Sequence, residues 1–186
     1  MQPGYLLDYV YFYQGIGGEP IIYTRQKEQP PYRTYSEYLN SFRPTPPESP
    51  WEIQFNYMDS IRVDDTEEGF FQFIVLRIMG NQFYQYWHAG YNDHRIICDR
   101  AGLEAILSEP NEFGYIISLP VQIRARLLKV EPIIEFSDDA VTVQVIVFTK
   151  WGGFFRRSYT ISRDFPHTIL EEKTETLVPY DCGVRF

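Results

Sequence analysis

The stretch from Gly69 to Asp99, GFFQFIVLRIMGNQFYQYWHAGYNDHRIICD, constrains the chain most, because it strings three apolar runs between two turn signals and ends at a residue suited to cap a helix. Phe70 to Met79 is nearly unbroken apolar sequence rich in Phe, Ile and Val, too short for a membrane span. It predicts a central strand buried on both sides. Gly80 and Asn81 supply the small residues of a primed hairpin turn. Gln82 to Ala89 then returns as a second strand, Gly90 to Asp93 forms a loop, and His94 to Cys98 follows as a third strand. Asp99 caps a helix that carries Leu103, Ile106 and Leu107 at helical spacing.

Side chains alternate across a sheet, so those turn lengths assign faces. The two-residue turn sets Arg77 opposite Tyr84, and the four-residue loop sets His88 opposite Arg95. One face gathers Phe70, Ile74, Ile78, Trp87, Ile96 and Cys98 as core. The other gathers Arg77, Tyr84, Tyr86, His88 and Arg95 among Phe73, Val75 and Ile97. Aromatic walls, a pair of guanidinium groups and an imidazole make that face a candidate for a protein partner or a small anionic ligand. The competing reading is a Tyr-rich sheet face, solvated or covered by later strands, whose arginines are paired internally.

Hydrophobic residues make up 44% and charged residues 23%, the balance of a globular protein, and 186 residues predict a single domain over 1–186 whose core needs no metal or disulfide. The aromatic share, 17%, comes mainly from fifteen Tyr and fourteen Phe. Amphipathic tyrosine in that quantity suits half-buried sheet faces and interfaces. A net charge of −8 and a pI near 4.9 argue against nucleic acid and anionic membrane as partners, since both are bound through excess positive charge. Cys98 and Cys182 lie far apart in sequence, no secretory start precedes the first strand, and no segment has the length of a membrane span. The expected setting is cytoplasmic.

Tyr5 to Tyr13 alternates like a strand, is broken around Gly15 to Pro20, and resumes from Ile21 to Thr24. The run GIGGEP lacks the spacing and the Lys of a phosphate loop, which leaves a hairpin turn. Prolines 30, 31, 44, 46, 47 and 50 enclose TYSEYLNSF, where Thr34 or Ser36 caps a short helix with Tyr35, Tyr38, Leu39 and Phe42 on one face. The whole of 29–50 reads as an ordered arm that straps the domain or docks a partner. Trp51 to Tyr57 alternates like a half-buried strand. The acidic loop Asp64, Asp65, Glu67 and Glu68 lacks the spacing of a calcium loop and reads as a solvated turn.

Beyond Asp99, PVQIRARLLKV is better read as a helix starting at Pro120 than as a strand. Ile133 to Phe136, Ala140 to Thr149 and Phe154 to Ser162 form a second meander. A three-residue loop of Trp151, Gly152 and Gly153, with Gly153 left-handed, brings Tyr159 and Ile161 onto the face of Val141, Val143, Val145 and Val147. The tip of that hairpin offers Trp151 as an exposed anchor. Thr174 to Val178 is a last strand, and the aromatic end that follows is pinned rather than free.

No zinc spacing is present, and the expected register puts His88 and His94 on opposite faces, so no metal is assigned. Cys182, with Asp181 beside it and His167 upstream, lacks an elbow motif and reads as a buried thiol. No catalytic residue or cofactor is assigned. The architecture expected is α+β, mostly antiparallel: two meanders forming a sandwich or partly closed barrel, with two or three short helices. The function expected is that of a non-enzymatic binding or accessory protein, docking a protein partner or a second copy through the Arg-containing aromatic face and Trp151. The alternative is a small-molecule pocket protein, or an enzyme acting on an anionic substrate through Arg77, Arg95, His88 and Tyr84.

Overall fold

Tyr5–Gln14 (β1) and Gly17–Gln26 (β2) pair antiparallel as a hairpin in the computed structural model, which describes residues 1–14, 17–42, 55–80, 93–110 and 116–183. The chain separates into two compact units, Met1–Asn92 with Asp164–Thr168, and Asp93–Arg163 with Ile169–Phe186. Antiparallel sheets of two and five strands, accompanied by helices and not closed into a barrel, make the protein α+β. No helix among the described residues is long and apolar enough to cross a membrane.

In the N-terminal unit the register Tyr9↔Ile22 and Val10↔Ile21 sends Tyr5, Leu7, Tyr9, Tyr11 and Tyr13 to one face of the hairpin and Leu6, Asp8, Val10 and Phe12 to the other. The second face is the inner one. Helix Tyr35–Asn40 (α1) packs on it, with Tyr38 buried among Val10, Ile21 and Tyr23, and Tyr35, Leu39 and Phe42 around the edge. Thr34 caps this helix, its Oγ1 accepting the Glu37 N–H at 3.1 Å, so the helix expected within TYSEYLNSF forms with the expected side chains inward. The later part of the proposed arm, 43–50, and positions 51–54 lie outside the described residues. The end of the strand expected at Trp51 to Tyr57 is different: Asn56–Ser60 is a 3-10 turn that buries Tyr57 and Met58.

The main correction concerns Phe70 to Met79. Glu67–Met79 (α2) is an α-helix, and the residues it buries, Phe70, Phe73, Ile74 and Ile78, recur at the three- and four-residue spacing of a helix face. Its start is chemically well defined. Thr66 Oγ1 accepts the Gly69 N–H at 3.0 Å, and Glu67 and Glu68 lie in the first turn, where the helix dipole favours negative charge. The residues read as an acidic turn are therefore the helix entrance, and Gly80 is its C-cap with φ −59 rather than half of a hairpin turn. The Phe, Ile and Val content that suggested a strand is a weak preference, and burial of one helical stripe outweighs it. Asn81 and the strand expected at Gln82 to Ala89 lie outside the described residues.

In the C-terminal unit Arg95–Ile97 (β3), Ile133–Phe136 (β4), Ala140–Thr149 (β5), Gly153–Ser162 (β6) and Ile169–Pro179 (β7) form one antiparallel sheet. β3 and β4 both pair with β5, and the order continues β5, β6, β7. Asp99 caps Arg100–Ser108 (α3) through the Gly102 N–H at 2.7 Å, and Leu103, Ile106 and Leu107 are all buried, as their spacing predicts. Leu119–Arg126 (α4) confirms the helical reading of PVQIRARLLKV. These helices cover Ile97, Ile146, Phe148, Phe154 and Val178. Ile97 is the core residue of β3 while Cys98 is exposed, the reverse of the expected phase. The expected phase depends on a strand at Phe70, where the chain is helical.

The hairpin between β5 and β6 closes at Thr149↔Gly153, around Lys150, Trp151 and Gly152. This loop begins one residue earlier than expected. The register moves by two but parity is kept, so Tyr159 and Ile161, opposite Val143 and Val141, share the valine face as anticipated. Gly153 is left-handed, with φ +94, and a side chain there would strike the Val178 carbonyl and the Tyr180 amide. After β7 the chain is pinned to this hairpin, as Tyr180 N–H donates to Gly152 O at 3.3 Å and Cys182 N–H to Lys150 O at 2.9 Å.

Two substitutions test these local arguments by urea unfolding. Thr66→Ala removes the cap of α2 and is expected to cost about 1 kcal/mol, with Thr66→Asn restoring most of it. Gly153→Ala meets both a left-handed backbone and neighbouring backbone atoms, so a loss of about 2 kcal/mol or more is expected; a neutral result would mean that β6 and β7 do not close as described.

Candidate functional site

The outer face of the β1–β2 hairpin is the most distinctive surface of the N-terminal unit. Its positions are Tyr5, Leu7, Tyr9, Tyr11 and Tyr13 on one strand and Gly18, Pro20, Ile22, Thr24 and Gln26 on the other, with no charged residue among them. The tyrosines are substantially exposed, Tyr9 by 62%, Tyr11 by 48% and Tyr13 by 73%. Leu7, Tyr9, Tyr11, Pro20 and Ile22, together with Leu76 from α2, line a groove of about 620 Å³. Asp8 reaches its edge, but its carboxylate is held by the Arg25 guanidinium at 2.7 Å and also accepts the Tyr9 N–H at 2.9 Å. The groove therefore offers aromatic and aliphatic contact with almost no free charge.

The inner face keeps this surface rigid. Tyr23 is fully buried, its hydroxyl accepts the Tyr32 N–H at 3.0 Å, and burial raises its pKa. Tyr38 stacks on it at 4.9 Å between ring centroids, and burial pushes the Tyr38 phenol up as well. Elsewhere in the unit Tyr57 donates its hydroxyl to Leu76 O at 3.2 Å, with its pKa pushed up to about 12 by burial, which ties α2 at the residue lining the groove. His167 is buried edge-on against Phe70 and Phe73, and its Nε2 accepts the Val63 N–H at 3.2 Å.

The residues singled out from the sequence do not assemble as expected. Arg77 lies on α2, its guanidinium 3.3 Å from the centroid of the Phe55 ring, a cation–π contact. Arg95 lies on β3 and pairs with Glu109. A helix carries one and a strand of the other unit carries the second, so no single sheet face holds both. Tyr84, Tyr86 and His88 lie outside the described residues. Trp151 sits in the β5–β6 turn half-buried, with its indole nitrogen inside, and so is not the protruding anchor its place at a hairpin tip suggested. The outer hairpin face was missed although its signal is present. In YLLDYVYFY every odd position but Leu7 is tyrosine, and the only charge falls on the inner face.

A second polar feature occupies the C-terminal unit. Arg157 on β6 lies opposite Val145, and its terminal nitrogen is 2.7 Å from His94 Nε2. Burial, and after it the nearby Arg157 charge, lower the His94 pKa to about 4. The ring is neutral near pH 7, so Nε2 accepts from the guanidinium. Comparison with known proteins leaves this geometry to stand by itself, since no family model, curated protein or solved structure matches the chain.

Because the folded state lowers the His94 pKa from 6.5, the stability that the neutral ring contributes is complete above pH 6.5 and is lost as the pH falls toward about 4. Urea unfolding at pH 7 and pH 4 is expected to show a smaller drop in His94→Gln than in the wild type. Equal drops would mean that His94 titrates as an ordinary exposed imidazole.

Proposed function

We propose that this chain is a non-enzymatic binding protein that docks an extended, uncharged segment of a partner protein on the tyrosine face of β1–β2. One observation carries the reading: a charge-free row of exposed tyrosines beside an apolar groove, on a chain of net charge −8. Tyrosine supplies large contact area for little lost side-chain freedom and is among the residues that dominate binding energy. Alternate tyrosines along a strand recur every ~7 Å, the repeat of alternate side chains in an extended partner.

Area argues for a segment over a second copy of the chain. The exposed parts of Leu7, Tyr9, Tyr11 and Tyr13 amount to roughly 500 Å², short of the roughly 800 Å² per partner that a stable dimer buries. The lack of charge argues against a charged peptide, whose ionic groups would be desolvated without a counter-ion.

A displayed library of random dodecapeptides, selected on the full chain, tests this reading. The expected result is enrichment of uncharged sequences with aromatic, proline or aliphatic residues at alternate positions. Synthetic versions should bind Tyr9→Ser/Tyr11→Ser at least tenfold more weakly, with the circular dichroism of the variant unchanged. Enrichment of charged peptides, equal binding to the variant, or a concentration-independent dimer by sedimentation would each overturn it.

A further inference from the structure

The groove on the tyrosine face restricts which backbone a docked segment can have. Strand N–H and C=O groups lie in the plane of a sheet and point at neighbouring strands, so a segment crossing the outer face of β1–β2 cannot reach them. Side chains alone must satisfy it. Leu7, Pro20, Ile22 and Leu76 offer no polar group, and the Asp8 carboxylate is already engaged by Arg25 and by the Tyr9 N–H. What remains are the hydroxyls of Tyr9, Tyr11 and Tyr13, residues that are exposed and whose phenols make no hydrogen bond among the described residues. Each carries one O–H to donate.

Such a set suits carbonyl oxygens better than amide hydrogens. An ordinary segment brings an N–H with nearly every residue, and those pressed into the groove would lose water without meeting a carbonyl or a free carboxylate. Proline removes the donor and keeps the C=O, which a phenol O–H can bind. Its ring packs on aromatic walls, and a proline-rich segment already holds the polyproline II conformation, so little freedom is lost on docking. Tyr11 is held in place to receive it, its ring seated over buried Gly18, where a side chain would strike it. We propose, building on the docking role of this face, that the segment it takes is proline-rich and uncharged, bound in polyproline II form with its rings against Tyr9, Tyr11 and Leu76 and its carbonyls accepting from the tyrosine hydroxyls.

The test compares acetylated, amidated octaproline with an acetylated, amidated octapeptide alternating valine and glutamine, which is equally uncharged but keeps its N–H groups and prefers an extended strand. Ring signals of the full chain labelled with ¹³C-tyrosine report where each binds. Octaproline is expected to give saturable shifts at Tyr9 and Tyr11 and to bind at least tenfold more tightly than the valine–glutamine peptide. Tyr9→Ser/Tyr11→Ser should weaken it at least tenfold, and Tyr11→Phe, which keeps the ring and loses the hydroxyl, about fivefold. Equal or tighter binding of the valine–glutamine peptide, with the same dependence on Tyr9 and Tyr11, would overturn the proline assignment and leave the docking role standing. Absence of a saturable octaproline shift, or octaproline affinity unchanged in either variant, would overturn it as well. Loss of the docking role itself is read separately, from the failure of every displayed dodecapeptide to bind the tyrosine face.

Discussion

Pairing register is the constraint from which both surfaces of this protein follow. Successive side chains on a strand point to opposite faces, so a hairpin closed at one pair commits every residue of both strands. In β5–β6 the closing pair Thr149↔Gly153 requires a left-handed backbone at Gly153, which glycine accepts without strain. From that point Ile146, Phe148 and Phe154 face the helices while Val141, Val143, Tyr159 and Ile161 face the other way. Arg157 is carried onto the valine face by the same count. In β1–β2 the register divides a helix-covered face from a tyrosine face in the same manner.

What distinguishes the two surfaces is how each handles charge. On the hairpin the Asp8 carboxylate is neutralised by Arg25, so the tyrosine row is left as amphipathic contact area. On the large sheet the exposed arginines have acidic partners, and such pairs near solvent contribute little to stability. Arg157 lies half-buried, with a terminal nitrogen against the His94 ring.

Local signals carried much of the architecture. The caps at Thr34 and Asp99, the clean alternation of the valines and the glycines at 152 and 153 each act over a few residues, so their outcome does not depend on the rest of the chain. The segment at Phe70 is the instructive contrast. Its apolar run satisfies a doubly buried strand and a buried helix almost equally, and periodicity over so short a stretch separates them poorly. Thr66, with Glu67 and Glu68 behind it, was the local evidence for a helix, and the buried set Phe70, Phe73, Ile74 and Ile78 agrees with it. The expected face of Arg77, Tyr84, Tyr86, His88 and Arg95 depends on a strand at Phe70, and Phe70 lies on a helix.

By itself, then, the sequence determined the antiparallel α+β character, the capped helices after Thr34 and Asp99, and the parity of the β5–β6 hairpin, because each rests on chemistry between residues close in the chain. Tertiary structure alone decided that the exposed tyrosines would border a groove completed by Leu76, and that Arg157 would meet His94. Those outcomes depend on which side chains from distant segments share a buried space, and linear spacing does not carry that information.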